Sequence, residues 1–218
     1  MWAGDIVIVG RKGSGKSTLL GDWVAAMPGG VIVRDPTDSF PLRRGWVKVT
    51  MQSDLGALRG CVSAGGKAVL YTGPCDSRLM KRQVSFLVSL AQDTGCSLAF
   101  DEGHEQAPLS GPLDPVADLI RRGRHYGPPR GQGHVGSSFA FCTPAPQELS
   151  KSPMHAGATV YLFDSPFSQP WMQRYGIPQG TLERLAGAPP HSYVRIREGR
   201  AEGPFRGPAG LVFSPAAD

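Results

Sequence analysis

The sequence predicts a single α/β domain with a mainly parallel sheet and helices on both of its faces. Three observations support this fold class: short apolar runs typical of buried strands, helical segments between them, and a glycine-rich loop joining a strand to a helix. The chain has 218 residues, which is enough for one sizeable core. Its 29 Gly and 20 Pro indicate many turns, and the apolar runs between them exclude a wholly disordered chain.

The first half of the chain alternates strands with helices. The opening run Asp-Ile-Val-Ile-Val is too short for a helix and rich in β-branched residues, so it predicts a buried strand. Apolar residues then recur at helical spacing until Pro28-Gly29-Gly30 ends the pattern. The same criteria predict strands at 5–9, 31–33, 46–49 and 68–71, and helices at 16–27, 53–61 and 76–92.

The second half continues the alternation. Further strands are predicted at 96–100, 137–142, 159–163 and 193–196. Asp114 is expected to cap a helix that has Pro115 at its first position. We place the domain at residues 1–197 and a Gly/Pro-rich C-terminal tail at 198–218. The sequence leaves open whether this tail packs on the core, mediates a subunit contact or stays loose.

Charge and composition limit the environment of the protein. No apolar run is long enough to cross a bilayer, and the first ten residues do not have the pattern of a signal peptide, so we expect a soluble, unexported protein. The four cysteines form no C-x-x-C pair, so we expect reduced thiols and no zinc site. The net charge of +5 suits contact with a polyanion without requiring it.

Residues 10–17, Gly-Arg-Lys-Gly-Ser-Gly-Lys-Ser, fit the phosphate-loop (Walker A) pattern G-x-x-x-x-G-K-[ST] between a strand and a helix. Glycines let successive backbone N–H groups and the helix N-terminus point at one phosphate. Lys16 is expected to reach the β and γ phosphates of ATP, and Ser17 to bind Mg²⁺. The candidate nucleotide-binding residues are Gly10, Lys12, Gly13, Ser14, Gly15, Lys16, Ser17 and Thr18.

An acidic pair follows the strand at 96–100. Asp101 would lie at the carboxyl end of that strand, where it can hold Mg²⁺ through water as a Walker B residue, and Glu102 beside it can activate an attacking water. An adjacent acidic pair is typical of NTPases that hydrolyse, whereas small-molecule kinases tend to lack the glutamate. The other interpretation is an acidic loop start in solvent.

Three arginines, Arg121, Arg122 and Arg124, crowd the end of the predicted helix after Asp114. One interpretation is structural, because cations at a helix C-terminus oppose its partial negative charge. The other is that a guanidinium reaches the γ phosphate of a neighbouring subunit and stabilises charge during phosphoryl transfer. The second interpretation implies a ring or another multimer.

The order of these motifs resembles the FtsK/HerA superfamily of DNA-pumping ATPases. Within it, the short chain and the segment Arg-Arg-Gly-Arg-His-Tyr-Gly look most like the genome-packaging ATPases of membrane-containing icosahedral viruses. The resemblance covers roughly residues 5–165. It implies a RecA-like P-loop NTPase of the additional-strand, catalytic-glutamate type.

Carried over to this sequence, the resemblance implies that Arg124, which is followed by Gly127, is the arginine that acts in trans, and Arg121 or Arg122 takes that role if the register of the match is shifted. Lys16 and Glu102 keep their catalytic roles. One feature departs from the family pattern, in which the next strand ends in Thr-Gln before Arg-Pro, because this chain has Thr143-Pro144-Ala145-Pro146. The polar residue that senses the γ phosphate is therefore either Thr143 or Gln147.

The resemblance also implies a function: an ATP-hydrolysing, Mg²⁺-dependent translocase that packages double-stranded DNA into a preformed viral capsid. Its expected partners are a homo-oligomeric ring, DNA, and capsid-vertex or membrane-vesicle proteins, in host cytoplasm or at the packaging vertex of the virion. Three alternatives stay open: a conjugation or secretion ATPase of the same superfamily, a monomeric P-loop kinase or metabolic NTPase, and a scaffold protein whose assembly is switched by nucleotide.

DNA of any sequence is gripped through its phosphates, so a few basic side chains on loops suffice. The candidates are Arg43, Arg44 and Arg130. Arg130 lies in the stretch 128–136, which is either an insertion or a DNA-facing loop.

Overall fold

The computed structural model of the chain describes residues 4–50, 55–108, 110, 113–127, 136–164, 172–173, 176–178 and 180–210. Within these ranges the strands are β1 Ile6–Val9, β2 Val31–Asp35, β3 Val47–Thr50, β4 Lys67–Tyr71, β5 Ser97–Asp101, β6 Phe139–Thr143, β7 Thr159–Phe163, β8 Tyr193–Arg197 and β9 Arg200–Phe205. The helices are α1 Lys16–Ala26, α2 Leu55–Ser63, α3 Ser77–Thr94, α4 Asp114–Arg122, α5 Ser152–His155 and α6 Thr181–Ala186.

The described strands form one sheet in the order β3-β4-β2-β5-β6-β1-β7-β8-β9. The strands from β3 to β7 in this order pair in parallel, whereas β8 is antiparallel to β7 and β9 is antiparallel to β8. The predicted α/β fold with a mainly parallel sheet is confirmed. Because the carboxyl ends of parallel strands meet at one edge, the loops after β1, β5 and β6 all emerge at what we call the carboxyl edge.

Helices cover both faces of the sheet because alternate residues of each buried strand point to opposite sides. Ile6 and Ile8 of β1 pack with Trp23 of α1 on one face. Val7 and Val9 belong to the core on the other face, which also contains apolar side chains of α2, α3 and α4. This alternation places Asp101 on the α1 face, because Ala99 lies in that core.

Two details of the elements differ from the sequence expectation. Asp114 is the first residue of α4 and Leu113 occupies the cap position, so Asp114 does not act as the side-chain cap. Residues 200–205, in the segment whose packing the sequence left open, pair with β8 as the edge strand β9. A short 3₁₀ turn at Gly207–Gly210 then contacts α1.

None of the four cysteines, all of which lie in described ranges, forms a disulfide. No helix in the described ranges has the length and apolar character needed to span a membrane.

Asp5 gives a testable pH dependence of stability. It precedes β1, and its Oδ1 accepts a hydrogen bond from the backbone N–H of Phe139 at 3.0 Å. Burial raises the pKa of its carboxyl to about 7. In the unfolded chain this carboxyl ionises near pH 4, so between pH 4 and 7 only the unfolded state loses the proton and the fold is progressively destabilised.

We therefore expect Asp5→Asn, which keeps the acceptor oxygen, to raise the free energy of unfolding by up to about 4 kcal/mol at pH 8 and to change it little at pH 4. Urea unfolding at the two pH values measures this. Asp114→Asn is the control, because that carboxylate is 94% exposed and its neutralisation should not stabilise the fold at pH 8. Equal effects of Asp5→Asn at both pH values would contradict the assignment.

Candidate functional site at the carboxyl edge

The phosphate loop lies between β1 and α1, as its sequence predicts. Gly13 and Gly15 adopt left-handed backbone with φ of 79° and 102°, and Gly15 is the N-cap residue directly before α1. A Cβ on Gly10 would lie 2.6 Å from Ser14 Oγ and 2.7 Å from Phe163 Cβ, so only glycine fits there. The loop thus turns tightly enough to present backbone amides and the N-terminus of α1 together, which is the geometry of an anion site.

The side chains of the loop divide into buried and exposed groups. Lys16 is only 9% exposed, and its Nζ donates a hydrogen bond to the carbonyl of Arg11 at 3.0 Å, which holds the ammonium across the loop. Ser14 is equally buried, and its hydroxyl has no hydrogen-bond partner within the described part of the chain. Ser17 is half-buried, whereas Lys12 and Thr18 are exposed. Phosphate oxygens would satisfy both the Ser14 hydroxyl and the amides.

Asp101 stands at the end of β5, beside the loop. Burial raises the pKa of its carboxyl to about 6; the nearby charges of Glu102 and Asp35 act in the same direction, and the Cys142 thiol and the Lys16 ammonium oppose it. Cys142 is its register partner on β6. Cys142 also pairs in register with Ile8 of β1, so the structure brings the acidic pair and the phosphate loop to the same edge of the sheet, one strand apart.

The donor set at this point suits Mg²⁺. Oxygen ligands, with one or two carboxylates and the remainder from phosphates and water, are what this ion prefers. Asp101 supplies a buried carboxylate and Ser17 a half-buried hydroxyl on the same face of the sheet. No group of three or more His, Cys, Asp or Glu side chains that could hold a metal by itself occurs among the described residues.

Glu102 has a strained backbone and an accessible carboxylate. Its φ of 61° and ψ of 44° are left-handed values that a non-glycine residue rarely adopts. The side chain is 32% exposed, in contrast to the buried Asp101. The two neighbouring carboxylates therefore occupy different environments, and Glu102 is the one that water can reach.

His104 links Glu102 to the end of β6 and was not singled out in the sequence. Its Nδ1 lies 3.7 Å from Glu102 Oε2 and 3.0 Å from the hydroxyl of Thr143. Its Nε2 lies 3.7 Å from Glu148 Oε2. The only sequence signal for His104 is its position two residues after Glu102, because the contact with Thr143 arises from the pairing of β5 with β6.

Thr143 connects this cluster to the phosphate loop. The residue is fully buried, its hydroxyl accepts a hydrogen bond from Ala145 N–H at 3.0 Å, and its carbonyl accepts one from Gly10 N–H at 3.3 Å. Gln147, the other candidate for the sensing residue, is exposed in a 3₁₀ turn after β6. Of the two candidates, Thr143 is the one with recorded contacts to both the loop and His104.

The arginine cluster lies at the opposite, amino edge of the sheet. Arg121 and Arg124 line a cavity of about 590 Å³ together with Asp5, which precedes β1, and Ser137, which precedes β6. The carbonyl of Gly123 accepts a hydrogen bond from Ser137 N–H at 2.8 Å, which ties the cluster to the start of β6. A strand of five residues separates the two edges by roughly 15 Å. Within one chain, the structure therefore does not bring Arg124 to the phosphate loop.

Within the described part of the chain, the contacts of the three arginines are local. Arg121 Nε donates to the carbonyl of Ala117 at 3.1 Å, Arg122 Nε lies 3.4 Å from Asp118 Oδ1, and Arg124 Nε donates to His125 Nε2 at 3.2 Å. All three side chains are exposed.

The loop arginines proposed for DNA contact differ in their surroundings. Arg43 Nη2 lies 2.5 Å from Asp22 Oδ1, and the guanidinium stacks over the Trp46 ring at 5.7 Å, so Arg43 is engaged with α1. Arg44 is exposed. Arg130 lies outside the described residues, as do residues 128–135 of the glycine-rich stretch around it.

Comparisons with known proteins were informative only for structures. No family model matches the sequence, and no curated protein matches it. Among solved structures, the genome-packaging NTPase B204 from Sulfolobus turreted icosahedral virus 2, in complex with ATP-gammaS, superposes with a TM-score of 0.67 at 15% identity. The match covers 95% of this chain and 100% of that one. This is the fold of a RecA-like P-loop NTPase.

Two further structures agree with that fold. The DNA-packaging ATPase B204 from Sulfolobus turreted icosahedral virus gives a TM-score of 0.64 at 16% identity, over 94% of this chain and 99% of that one. EccC from Thermomonospora curvata (ATPases 2 and 3) gives 0.51 at 13% identity, over 89% of this chain and 34% of that one. The resemblance inferred from the motif order is confirmed at the level of the fold.

Proposed function

We propose that this protein is an ATPase that translocates double-stranded viral DNA into a preformed capsid. The observation that carries the proposal is that the phosphate loop after β1 and the acidic pair Asp101 and Glu102 after β5 emerge at the same edge of the sheet, on either side of β6. The fold similarity to B204 over nearly the whole length of both chains supports the choice among P-loop functions. B204 is described as a genome-packaging NTPase and its structures contain ATP-gammaS, AMPPCP and AMP.

In this proposal the loop binds and orients the triphosphate. The amides around Gly13 and Gly15, the hydroxyl of Ser14 and the ammonium of Lys16 surround the β and γ phosphates. Ser17 and Asp101 hold Mg²⁺, which neutralises charge on those phosphates when it is bound. Burial of Lys16 and Asp101 makes these interactions stronger than they would be in bulk water.

Glu102 accepts a proton from the attacking water, because its carboxylate is accessible and lies next to the buried Asp101. His104 is a positioning residue: it stands between the Glu102 carboxylate and the hydroxyl of Thr143. Thr143 is placed where a change at the phosphate loop reaches it through the Gly10 N–H hydrogen bond. In this proposal, loss of the γ phosphate shifts the phosphate loop, and the shift reaches Glu102 through Thr143 and His104.

Arg124 completes the site of a neighbouring subunit. Since the arginine cluster lies at the amino edge, contact with a γ phosphate requires a second copy of the chain whose carboxyl edge faces it. Such a head-to-tail contact closes into a ring when its rotation allows closure. We propose a homo-oligomeric ring with Arg124 acting in trans; Arg121 and Arg122 are the alternative candidates for this single role.

The remaining assignments follow from the same proposal. A basic chain suits a duplex gripped through its phosphates, and Arg44 is an exposed basic loop residue in the described part of the chain. Capsid-vertex or membrane-vesicle proteins are the proposed docking partners, in host cytoplasm or at the virion vertex. The similarity to EccC makes a secretion-type ATPase the second candidate, although that match covers only 34% of the EccC chain.

ATP turnover tests the activity. Wild-type protein should release phosphate from Mg·ATP and accelerate when linear duplex DNA is added. Glu102→Gln should reduce turnover by at least about a hundredfold while ATP binding is retained, because general-base catalysis contributes a factor of that order. Glu183→Gln, at an exposed glutamate of α6, is the matched control and should turn over like wild type. Retained turnover in Glu102→Gln rejects the assigned role, and absence of DNA stimulation rejects the motor.

Mixing experiments test the arginine in trans. Arg124→Ala should be inactive alone, because its neighbour's γ phosphate is unpaired, yet it should still bind ATP at its own loop. When Arg124→Ala is mixed with equally inactive Glu102→Gln, each mixed interface that combines an intact Arg124 with an intact Glu102 regains a complete site, so turnover should reappear. A mixture as inactive as its components, at protein concentrations where oligomers form, would contradict action across the interface.

A further inference from the structure

Two cavities border the phosphate loop on the side of β7 and β8. One, of about 440 Å³, is lined by residues of α1 and by Tyr193 and Gly207. The other, of about 230 Å³, is lined by the turn before β8. Gly13, Phe163 and His191 line both cavities. The larger cavity also includes Lys16 and Ser17 of the proposed phosphate site, and its walls on the side of β7 and β8 are not used by the catalytic assignments.

The sheet order fixes which end of a nucleotide this cleft would receive. β1, which leads into the loop, lies between β6 and β7. Asp101 and Glu102 follow β5, two strands away on one side, while His191 precedes β8, two strands away on the other. Since the proposed function places the γ phosphate toward Glu102, the nucleoside extends the opposite way, toward His191.

His191 is held over the start of α1. It has a left-handed backbone with φ of 63°, which is strained for a non-glycine residue. The turn that carries it is fixed by two hydrogen bonds to the carbonyl of Pro189, from Ser192 N–H at 3.2 Å and from Ser192 Oγ at 2.6 Å. A Cβ built on Gly15 would lie 3.5 Å from His191 Nδ1, so the ring sits directly against the phosphate loop. The side chain is exposed and available to a ligand.

The walls of the larger cavity are held in place by aromatic packing and by a hydrogen bond. Phe163 and Tyr193 pack with ring centroids 5.2 Å apart and form an aromatic wall. Tyr193 OH donates a hydrogen bond to the carbonyl of Gly207 at 2.9 Å, which holds the C-terminal 3₁₀ turn at the cavity rim. The smaller cavity is lined by Ser14, whose buried hydroxyl lacks a partner among the described residues. The Ser14 hydroxyl, which can hydrogen-bond to a ligand oxygen, thus lies next to an apolar cleft with an aromatic wall.

We propose that the cavity of about 440 Å³ is the nucleoside site and that His191 contacts the base or ribose of the bound nucleotide. The segment after β8 then has a function, because Gly207, in the turn that follows β9, lines this cavity. The proposal rests on the proposed nucleotide binding and adds the residues that recognise the part of the ligand beyond the phosphates.

Comparison of ATP with inorganic tripolyphosphate tests this, because the second ligand has the phosphates without the nucleoside. Both are titrated with Mg²⁺ against wild type, His191→Asn and His191→Phe. Asparagine tolerates the left-handed backbone but lacks the ring, whereas phenylalanine restores a stacking surface. Glu198→Asn is the control, since Glu198 also has a positive φ and lies exposed at the other end of β8.

We expect His191→Asn to weaken ATP binding by about tenfold, as loss of one base-stacking contact does, with affinity for tripolyphosphate unchanged. His191→Phe should recover most of the loss, and Glu198→Asn should bind both ligands like wild type. Equal affinity of wild type for the two ligands, or equal weakening of both by His191→Asn, overturns this inference while the phosphate site stands. If wild type binds neither ligand, the proposed function itself fails.

Discussion

The parallel pairing of β1, β6 and β5 is the constraint on which the carboxyl edge of this protein depends. It makes the loop after β1 and the acidic pair after β5 emerge at the same edge, where the Lys16 ammonium and the Asp101 carboxylate are both largely buried. Buried charges are costly unless they are paired. A triphosphate would pair with the ammonium, and a divalent cation would pair with the carboxylate. The nucleotide chemistry proposed here follows from that balance.

The two edges of the sheet carry different groups of side chains. Groups that would bind and attack the phosphates lie at the carboxyl edge, and the exposed arginines lie at the amino edge beside Asp5. In the proposed ring, one subunit holds an incomplete set of groups for phosphoryl transfer, and a second copy supplies the missing arginine. Hydrolysis in one subunit would then require correct contact with the next, which is the dependence between subunits that the proposed motor needs.

The sequence predicted those parts of the fold that leave a local signal. Buried parallel strands are continuous apolar runs, so β1, β2, β5, β6 and β7 were recognisable, and the loop motif lay between a strand and a helix as expected. β9 left no such signal, because Arg-Ala-Glu-Gly-Pro-Phe is an edge strand with exposed and half-buried residues in alternation. Its place in the sheet is set by pairing with β8 rather than by its own apolar pattern.

As with the fold, the sequence predicted only those site residues that occupy a recognisable local motif. Lys16, Asp101 and Glu102 occupy motif positions whose spacing along the chain implies their position in space, and the structure brings them together. His104 and His191 could not be predicted, because their contacts depend on strand register and on a strained turn. Register also distinguishes the two candidates for the sensing residue: Thr143 pairs with Val9, next to the loop, whereas Gln147 lies beyond the strand end.

The central claim is that the loop between β1 and α1 holds a Mg²⁺-bound nucleoside triphosphate, and equilibrium binding of Mg·ATP to wild type and Lys16→Ala tests it most directly. The account predicts that wild type binds and that Lys16→Ala loses at least about tenfold in affinity, since a charge-assisted contact to phosphate is removed. Lys81→Ala, at an exposed lysine of α3, should bind like wild type. No binding by wild type at millimolar Mg·ATP, or equal affinity for Lys16→Ala, would contradict the account.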